Sequence, residues 1–271
     1  MALSALLTVM INAVRKAARG VQRDFGEVAN LQVSLKGPAN FVTNADRRCE
    51  KVLREELERA RPGYGFLMEE GGVIKGSDRD HRWIIDPIDG TTNFIHAIPL
   101  FAISVALERG GEMVAGLTYN PITDELFTAE KGRGAFLNNR RLRVAGRQDI
   151  HEALIACGVP HRGHADHALF RQELSLIQAR ASGVRALGSV TLELAYVAAG
   201  RFDALWERGL APWDLAAGML MVREAGGFAT DCDSDANPLE TGAIIAANAD
   251  LLPQVKKELS GARHRVASEV C

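Results

Sequence analysis

The sequence predicts a chain in two parts, α+β up to about residue 150 and α/β beyond it. Three observations carry this reading. Residues 1–60 hold two stretches of helical periodicity. From residue 65 to about residue 143, short apolar runs are separated by glycine and asparagine turns, as in antiparallel strands. Beyond residue 150, apolar strands alternate with helices. No Ser/Gly-rich linker separates residues 1–150 from 151–271, so the two parts are expected to form one compact unit without a flexible hinge.

The elements follow in order. Ala5, Leu6, Val9, Met10, Ala13, Val14 and Ala17 fall on one side at helical spacing, which predicts a helix from about Ser4 to about Phe25. VSLKGPANFVTNAD reads as a loop or short hairpin. Asn44 is expected to cap a second helix, with Leu53 and Leu57 on its inner face and Pro62-Gly63 as its stop. GFLMEE is a short strand ending in two glutamates. RWIID is apolar enough to be buried on both faces. FAISVALERGGEMVAGLTYNP gives two strands around Gly110-Gly111. ELFTAEKGRGAFLNNRRLRV continues as short strands turning at Lys131-Gly132 and Asn138-Asn139.

In the second part, ALIACGVP is a buried strand and HADHALFRQELSLIQARASG a helix. VRALGSVTLELAYVAAGRFDALWE reads as strand, helix, strand. APWDLAAGMLMVREAGG is a helix entered at Pro212 and left at Gly226-Gly227. GAIIAAN is a strand, and a last helix covers roughly Asp250 to Leu259.

The 271 residues suffice for a large core, and 47% apolar with 24% charged residues is ordinary for a globular protein. A net charge of −2 provides no basic field toward nucleic acid or anionic lipid. The first apolar run is too short to span a bilayer, and its charges Arg15 and Lys16 follow it, the reverse of a signal peptide. Cys49, Cys157, Cys232 and Cys271 form no C-x-x-C pair, which predicts reduced thiols in a cytoplasmic protein, with Cys271 exposed at the C-terminus. The scattered histidines lack zinc-site spacing, and Leu137 breaks the glycine fingerprint that Gly132-Arg133-Gly134 begins. Neither a G-x-S-x-G elbow nor a P-loop occurs.

The chemistry lies in WIIDPIDGTTNF, residues 83–94. Asp86 and Asp89 end an apolar strand. In a continuing strand they would point to opposite faces, and a proline turn can bring both to one point. Two carboxylates so close repel unless a cation sits between them, and hard oxygen donors suit Mg2+. An ordinary Asp-Gly hairpin turn is the alternative. Gly90, Thr91 and Thr92 add a close-approach glycine and N–H groups at a helix or tight-loop start, a site for phosphate. Glu69 and Glu70 end another strand, where a solvated loop is the alternative. Asp214 opens an apolar helix, where an N-terminal cap is the alternative. Glu207 ends a further strand. The sum favours a functional reading: four acidic clusters at element ends, each next to buried apolar sequence.

These residues together resemble the inositol monophosphatase family. The likeness rests on WIIDPIDGTTNF, the upstream glutamate pair and the downstream WDLAAG. It extends through VSLKGPANFVTNAD, GYGFLMEEGG, NFIHAIPLFAISVAL and ALGSVTLELAYVAAGRFDALWE. The resemblance implies a layered αβαβα sandwich, a homodimer, and hydrolysis of small phosphomonoesters, inositol monophosphate first, by water activated with two or three Mg2+ ions. It implies metal ligands at Glu69, Asp86, Asp89 and Asp214 and at the carbonyl of Ile88. Thr91 would stand beside the attacking water, with Glu69 and Glu70 activating it and Asp46 orienting Thr91. Phosphate would rest on Gly90, Thr91 and Thr92. Substrate hydroxyls would meet Asp89, Gly188, Ser189, Glu207 and Asp214. Lys36 would lie near a mobile lid, and lithium would inhibit.

Three positions depart from the family pattern: Met68 before the glutamates, expected to crowd the loop; Asn40 in place of an acid; and Val190 after Gly188-Ser189, expected to narrow the substrate pocket. Related phosphates remain alternative substrates: histidinol phosphate, a sugar bisphosphate, a nucleotide 3′-phosphate or NADP. So does a different role, that of an interaction protein in transcription antitermination, with Arg140, Arg141 and Arg143 as contacts to polymerase partners.

Overall fold

The computed structural model describes residues 3–27, 33–37, 40–163 and 166–269. Eight α-helices, a 3-10 turn at Ile150–Glu152 and fifteen strands are assigned among them. The first part comprises α1 (Ala5–Gly26), β1 (Val33–Gly37), β2 (Asn40–Thr43), α2 (Asn44–Ala60), β3 (Gly65–Met68), β4 (Gly72–Ile74), β5 (His81–Asp89), α3 (Thr91–Ile95), β6 (Ala102–Arg109), β7 (Glu112–Asn120), β8 (Glu125–Glu130), β9 (Gly134–Leu137) and β10 (Arg140–Arg141). After it come β11 (Leu154–Cys157), α4 (His167–Gln178), β12 (Gly183–Arg185), α5 (Val190–Ala198), β13 (Ala204–Arg208), α6 (Pro212–Glu224), β14 (Phe228–Thr230), α7 (Pro238–Thr241), β15 (Ala243–Ala247) and α8 (Leu251–Glu269).

Strands β3 to β10 form one sheet in the order β10-β9-β8-β7-β6-β5-β3-β4, antiparallel except for the parallel β3–β5 pair. The second sheet, β12-β11-β13-β15-β14, is parallel across β12-β11-β13 and antiparallel across β13-β15-β14. Mixed sheets with helices between and around them make an α+β architecture. One core packs the apolar faces of α1 and α2 on the large sheet, through Met10, Val14, Leu53, Leu57, Trp83 and Phe101. A second lies between the sheets and contains α5 and α6. A third joins the small sheet to α8, through Trp206, Ile245, Val255 and Leu259. The layers therefore alternate as helix, sheet, helix, sheet, helix.

Helix α6 needs close approach on two sides to reach its place. A Cβ on Gly116 of β7 would stand 3.0 Å from the Ala217 backbone, and one on Gly218 would stand 2.5 Å from Leu194 of α5. This seating brings the start of α6, and Asp214 with it, to the end of β5.

Several local expectations need correction. The N-cap of α2 is Thr43, not Asn44: its hydroxyl accepts from the N–H of Ala45 and Asp46, and Asp46 Oδ2 accepts from Thr43 N at 2.8 Å, completing a capping box. Asn44 is already in the first turn. The strand RWIID does not stop at a proline turn; β5 runs on to Asp89 through a bulge. Helix α4 begins at His167, later than expected, and α8 continues past Leu259 to Glu269. The short strands β4 and β14 and the helix α7 are too brief to show a period. The side chains of Lys36 and Asn40, together with Cys271, lie outside the described residues.

Candidate active site

The bulge in β5 solves the spacing of the two aspartates. Asp86 pairs with Ser104 of β6 and Asp89 with Ala102, so three steps on β5 oppose two on β6. An unbroken strand would send residues three apart to opposite faces. One extra residue restores the even count and turns both carboxylates to the same side. Asp214 reaches the same point from α6. One carboxylate oxygen from each of Asp86, Asp89 and Asp214 lies within 4.8 Å of the others.

Each acid is held by its own element. Asp86 is 2% exposed, and its Oδ1 accepts from the N–H of Ile88 at 3.0 Å. Burial pushes its pKa well up, and the charges of Glu69, Asp89 and Asp214 push it further; Glu69 also meets it in a side-chain hydrogen bond. Asp89 Oδ2 accepts from Ser189 Oγ at 2.6 Å and from Thr191 N and Oγ1, both at 2.7 Å. Burial raises its pKa while these donors oppose the rise. Asp214 Oδ2 accepts from Ala211 N at 2.8 Å, so the capping reading of this residue holds alongside its place in the acidic cluster.

A donor set made only of carboxylate oxygens, where burial raises Asp86 and Asp89 and neighbouring acids raise Asp86 further, fits a hard divalent cation that would offset the clustered charge. The cluster could hold a metal ion.

Next to the cluster, Gly90 takes φ +93°, where an L side chain would be strained. A Cβ there would also stand 3.0 Å from Leu100 O and 3.1 Å from Gly188 O. The turn starts α3, whose first intrahelical bond is from Phe94 N to Gly90 O; the N–H groups of Thr91 and Thr92 come before it. The Thr91 hydroxyl lies 3.2 Å from Asp46 Oδ1 and 3.1 Å from Ile88 O. Asn93 Nδ2 donates to Leu100 O and Leu187 O, both at 2.7 Å, and so ties this turn to the 187–189 segment.

A cavity of about 310 Å3 opens beside the acids and is lined by Glu69, Trp206, Glu207, Arg208, Trp213 and Asp214, among others. Glu207 Oε2 is buried with no hydrogen-bond partner. Burial pushes its pKa well up, and Glu193, Asp89 and Asp214 add to the rise. Gly158 faces it so closely that a Cβ there would stand 1.9 Å from its carboxyl.

The fold thus brings Asp46, Glu69, Asp86, Ile88, Asp89, Gly90, Thr91, Gly188, Ser189, Glu207 and Asp214 to one place. Glu70 follows Glu69 in the same loop, and Thr92 sits exposed at the start of α3. Met68 is buried in the core, with its Cε so near Gly71 that a Cβ there would stand 2.8 Å from it. Val190 is buried in the middle core. Sequence reasoning missed Thr191, Asn93, Gly158, Glu50 and Glu193. Only the last two left a signal: Glu50 follows Asp46 by one turn, and Glu193 is a lone acid in an otherwise apolar helix.

A model of the Inositol monophosphatase family matches residues 2–268. An inositol-1-monophosphatase of Mesorhizobium japonicum is 58% identical over 264 residues, covering 96% of this chain and 99% of that protein. The crystal structure of the extragenic suppressor protein suhB of Bartonella henselae superposes with a TM-score of 0.92 at 53% identity, over 94% of this chain and 98% of that one. A protein of Pseudomonas aeruginosa named Nus factor SuhB is 41% identical over 90% of this chain and 91% of its own. The chain belongs to the inositol monophosphatase family, a family of phosphatases. No helix among the described residues is long and apolar enough to cross a membrane.

Proposed function

We propose that this protein hydrolyses small phosphomonoesters with Mg2+, and that inositol monophosphate, cleaved to inositol and phosphate, is its substrate. The convergence of Asp86, Asp89 and Asp214 carries the reading. Similarity to an inositol-1-monophosphatase over nearly the whole chain supports the substrate. Glu69, Asp86, Asp89, Asp214 and the carbonyl of Ile88 would hold the metal. Bound there, Mg2+ would neutralise the phosphate dianion, lower the pKa of a bound water and stabilise the leaving alkoxide.

The residues divide the remaining work. Thr91 has one hydroxyl proton, which Asp46 or Ile88 O accepts, leaving its lone pairs to receive a hydrogen bond from water. Glu69 and Glu70 help to activate that water for attack in line, with Glu70, which is not among the metal ligands, accepting its proton. The N–H groups of Thr91 and Thr92, behind the close-approach Gly90, receive the phosphate. Asp89, Gly188, Ser189, Glu207 and Asp214 meet the substrate hydroxyls, and the unpartnered Oε2 of Glu207 is an acceptor suited to one.

A homodimer, a cytoplasmic location, lithium inhibition and cooperative unfolding of residues 1–150 with 151–271 belong to the same proposal. A role in transcription complexes is a second reading, supported by the relatives named Nus factor SuhB. Arg140 and Arg141 lie exposed on the edge strand of the large sheet, where a partner has access to them.

Phosphate release from a panel of phosphomonoesters, with and without Mg2+, tests the proposal against Asp89→Asn. Mg2+-dependent turnover of inositol 1-phosphate, lost in the variant, is the expected result. Turnover of another phosphate alone keeps the mechanism and changes the substrate. A folded protein that turns over nothing overturns the reading, and a pull-down with polymerase and Nus-type factors then tests the second.

A further inference from the structure

Glu50 stands one turn beyond Asp46 on the inner face of α2, in the buried series Asp46, Glu50, Leu53, Leu57. It is 6% exposed. A carboxylate at that depth is costly unless donors hold it. Two backbone groups do so: Glu70 N donates to its Oε2 at 2.8 Å, and Gly71 N is a second donor. The space around the carboxyl is closed. A Cβ on Gly71 would stand 2.9 Å from Glu50 Oε1 and 2.8 Å from Met68 Cε.

The loop it grips carries the two glutamates. Glu69 reaches Asp86, meeting it in a side-chain hydrogen bond at the edge of the acidic cluster. From the sheet side the loop is joined to β5 by a bond from Glu69 N to Ile85 O at 3.2 Å. Glu50 holds the next two N–H groups from the helix side. This hold is one of three contacts by which α2 addresses the site from behind. Asp46 accepts from Thr91, and Cys49 Sγ donates to Pro87 O at 3.3 Å within the bulge. Glu50 attends to the glutamate loop.

We propose that Glu50 is a positioning residue: it fixes the backbone of residues 69–71 so that Glu69 stands preformed against Asp86, with Glu70 beside it in the loop, before a cation arrives. This role rests on the metal reading above. It differs from simple support of the fold in what it predicts. Support alone changes stability; positioning changes the Mg2+ concentration that the site requires.

The experiment is thermal unfolding of the full chain and of Glu50→Gln over a Mg2+ titration, with phosphate release followed over the same range. Gln keeps the shape but replaces one acceptor oxygen with a donor that faces an N–H. The Mg2+ concentration giving half of the stabilisation is expected to rise by about 10-fold or more, as for other groups that orient metal ligands. Saturating Mg2+ restores most of the turnover. An unchanged midpoint, whatever the metal-free melting temperature, overturns the proposal. Should Glu50→Gln not fold, Gly71→Ala crowds the same carboxyl from the other side and is read in the same way. A wild-type protein with no response to Mg2+ overturns the metal reading and this role together, whereas a responding wild type with an unshifted variant overturns only the role of Glu50.

Discussion

The Thr91 hydroxyl stands 3.2 Å from Asp46 Oδ1, across 45 residues of chain, while the other oxygen of Asp46 closes the capping box of α2. One carboxylate therefore starts a helix and aims a hydroxyl. The N–H and hydroxyl of Thr43 occupy Oδ2, at 2.8 and 2.5 Å, so Oδ1 is the oxygen turned to Thr91. Thr91→Ala is expected to lower kcat by roughly 100-fold, with Thr91→Ser retaining most of it. Steady-state kinetics at saturating Mg2+ decides this, and an alanine variant with near-native kcat contradicts the role.

The three donors on Asp89 Oδ2 leave its other oxygen to be aimed by them. Thr191→Val removes one side-chain donor and keeps the shape. The Mg2+ concentration for half-maximal activity is expected to rise by about 10-fold. Ser189→Ala with Thr191→Val should raise it further, and metal titration of both variants measures the difference.

Glu193 is buried behind the 187–189 segment, where the N–H of Leu187 donates to it at 2.5 Å. Burial, then the charge of Asp89, push its pKa up to about 8, against 4.5 for an ordinary glutamate, while the N–H groups of Leu187 and Gly188 oppose the rise. Between those two values the folded chain keeps a proton that the unfolded chain has released. Its contribution to stability is thus full at low pH and lost as pH rises toward 8. In metal-free buffer, the melting temperature of Glu193→Gln should gain on wild type by a few degrees from pH 5 to pH 8. A difference that does not vary with pH counts against this assignment.

Gly158 is required by space and not by backbone conformation. A methyl group in its place would overlap the Glu207 carboxyl. Gly158→Ala should displace Glu207 and raise KM for a polyhydroxylated substrate by roughly 10-fold or more. A phosphomonoester without ring hydroxyls should be affected much less. Comparison of the two substrates tests the assignment of Glu207 to a hydroxyl.

Helix α6 packs against both sheets, and its residues lie in the core they share. Calorimetry of the full chain should therefore show a single transition; two transitions would divide it near residue 150.

Much of this architecture was legible in local pattern. The 3.6-residue period of α1, the Gly110-Gly111 hairpin and the apolar β5 each state their element within a few residues. The convergence of Asp86, Asp89 and Asp214 also left a local signal, because each stands at or near the end of an element beside an apolar run. The cap of α2 is ambiguous in the sequence because Thr43 and Asn44 are both capping residues, and only the reciprocal bond to Asp46 distinguishes them.

The sequence by itself determined the kinds of element and the kinds of donor: hard oxygens at strand and helix ends, with a glycine where backbone must come close. Tertiary structure alone decided the geometry. The bulge that turns Asp86 and Asp89 to one face is a matter of register with β6, and register belongs to a pair of strands. Asp214 joins them because Gly116 and Gly218 let α6 settle between the sheets. Glu50 and Glu193 are ordinary helix residues until the loops they hold fold onto them, since a buried carboxylate takes its role from the donors that surround it.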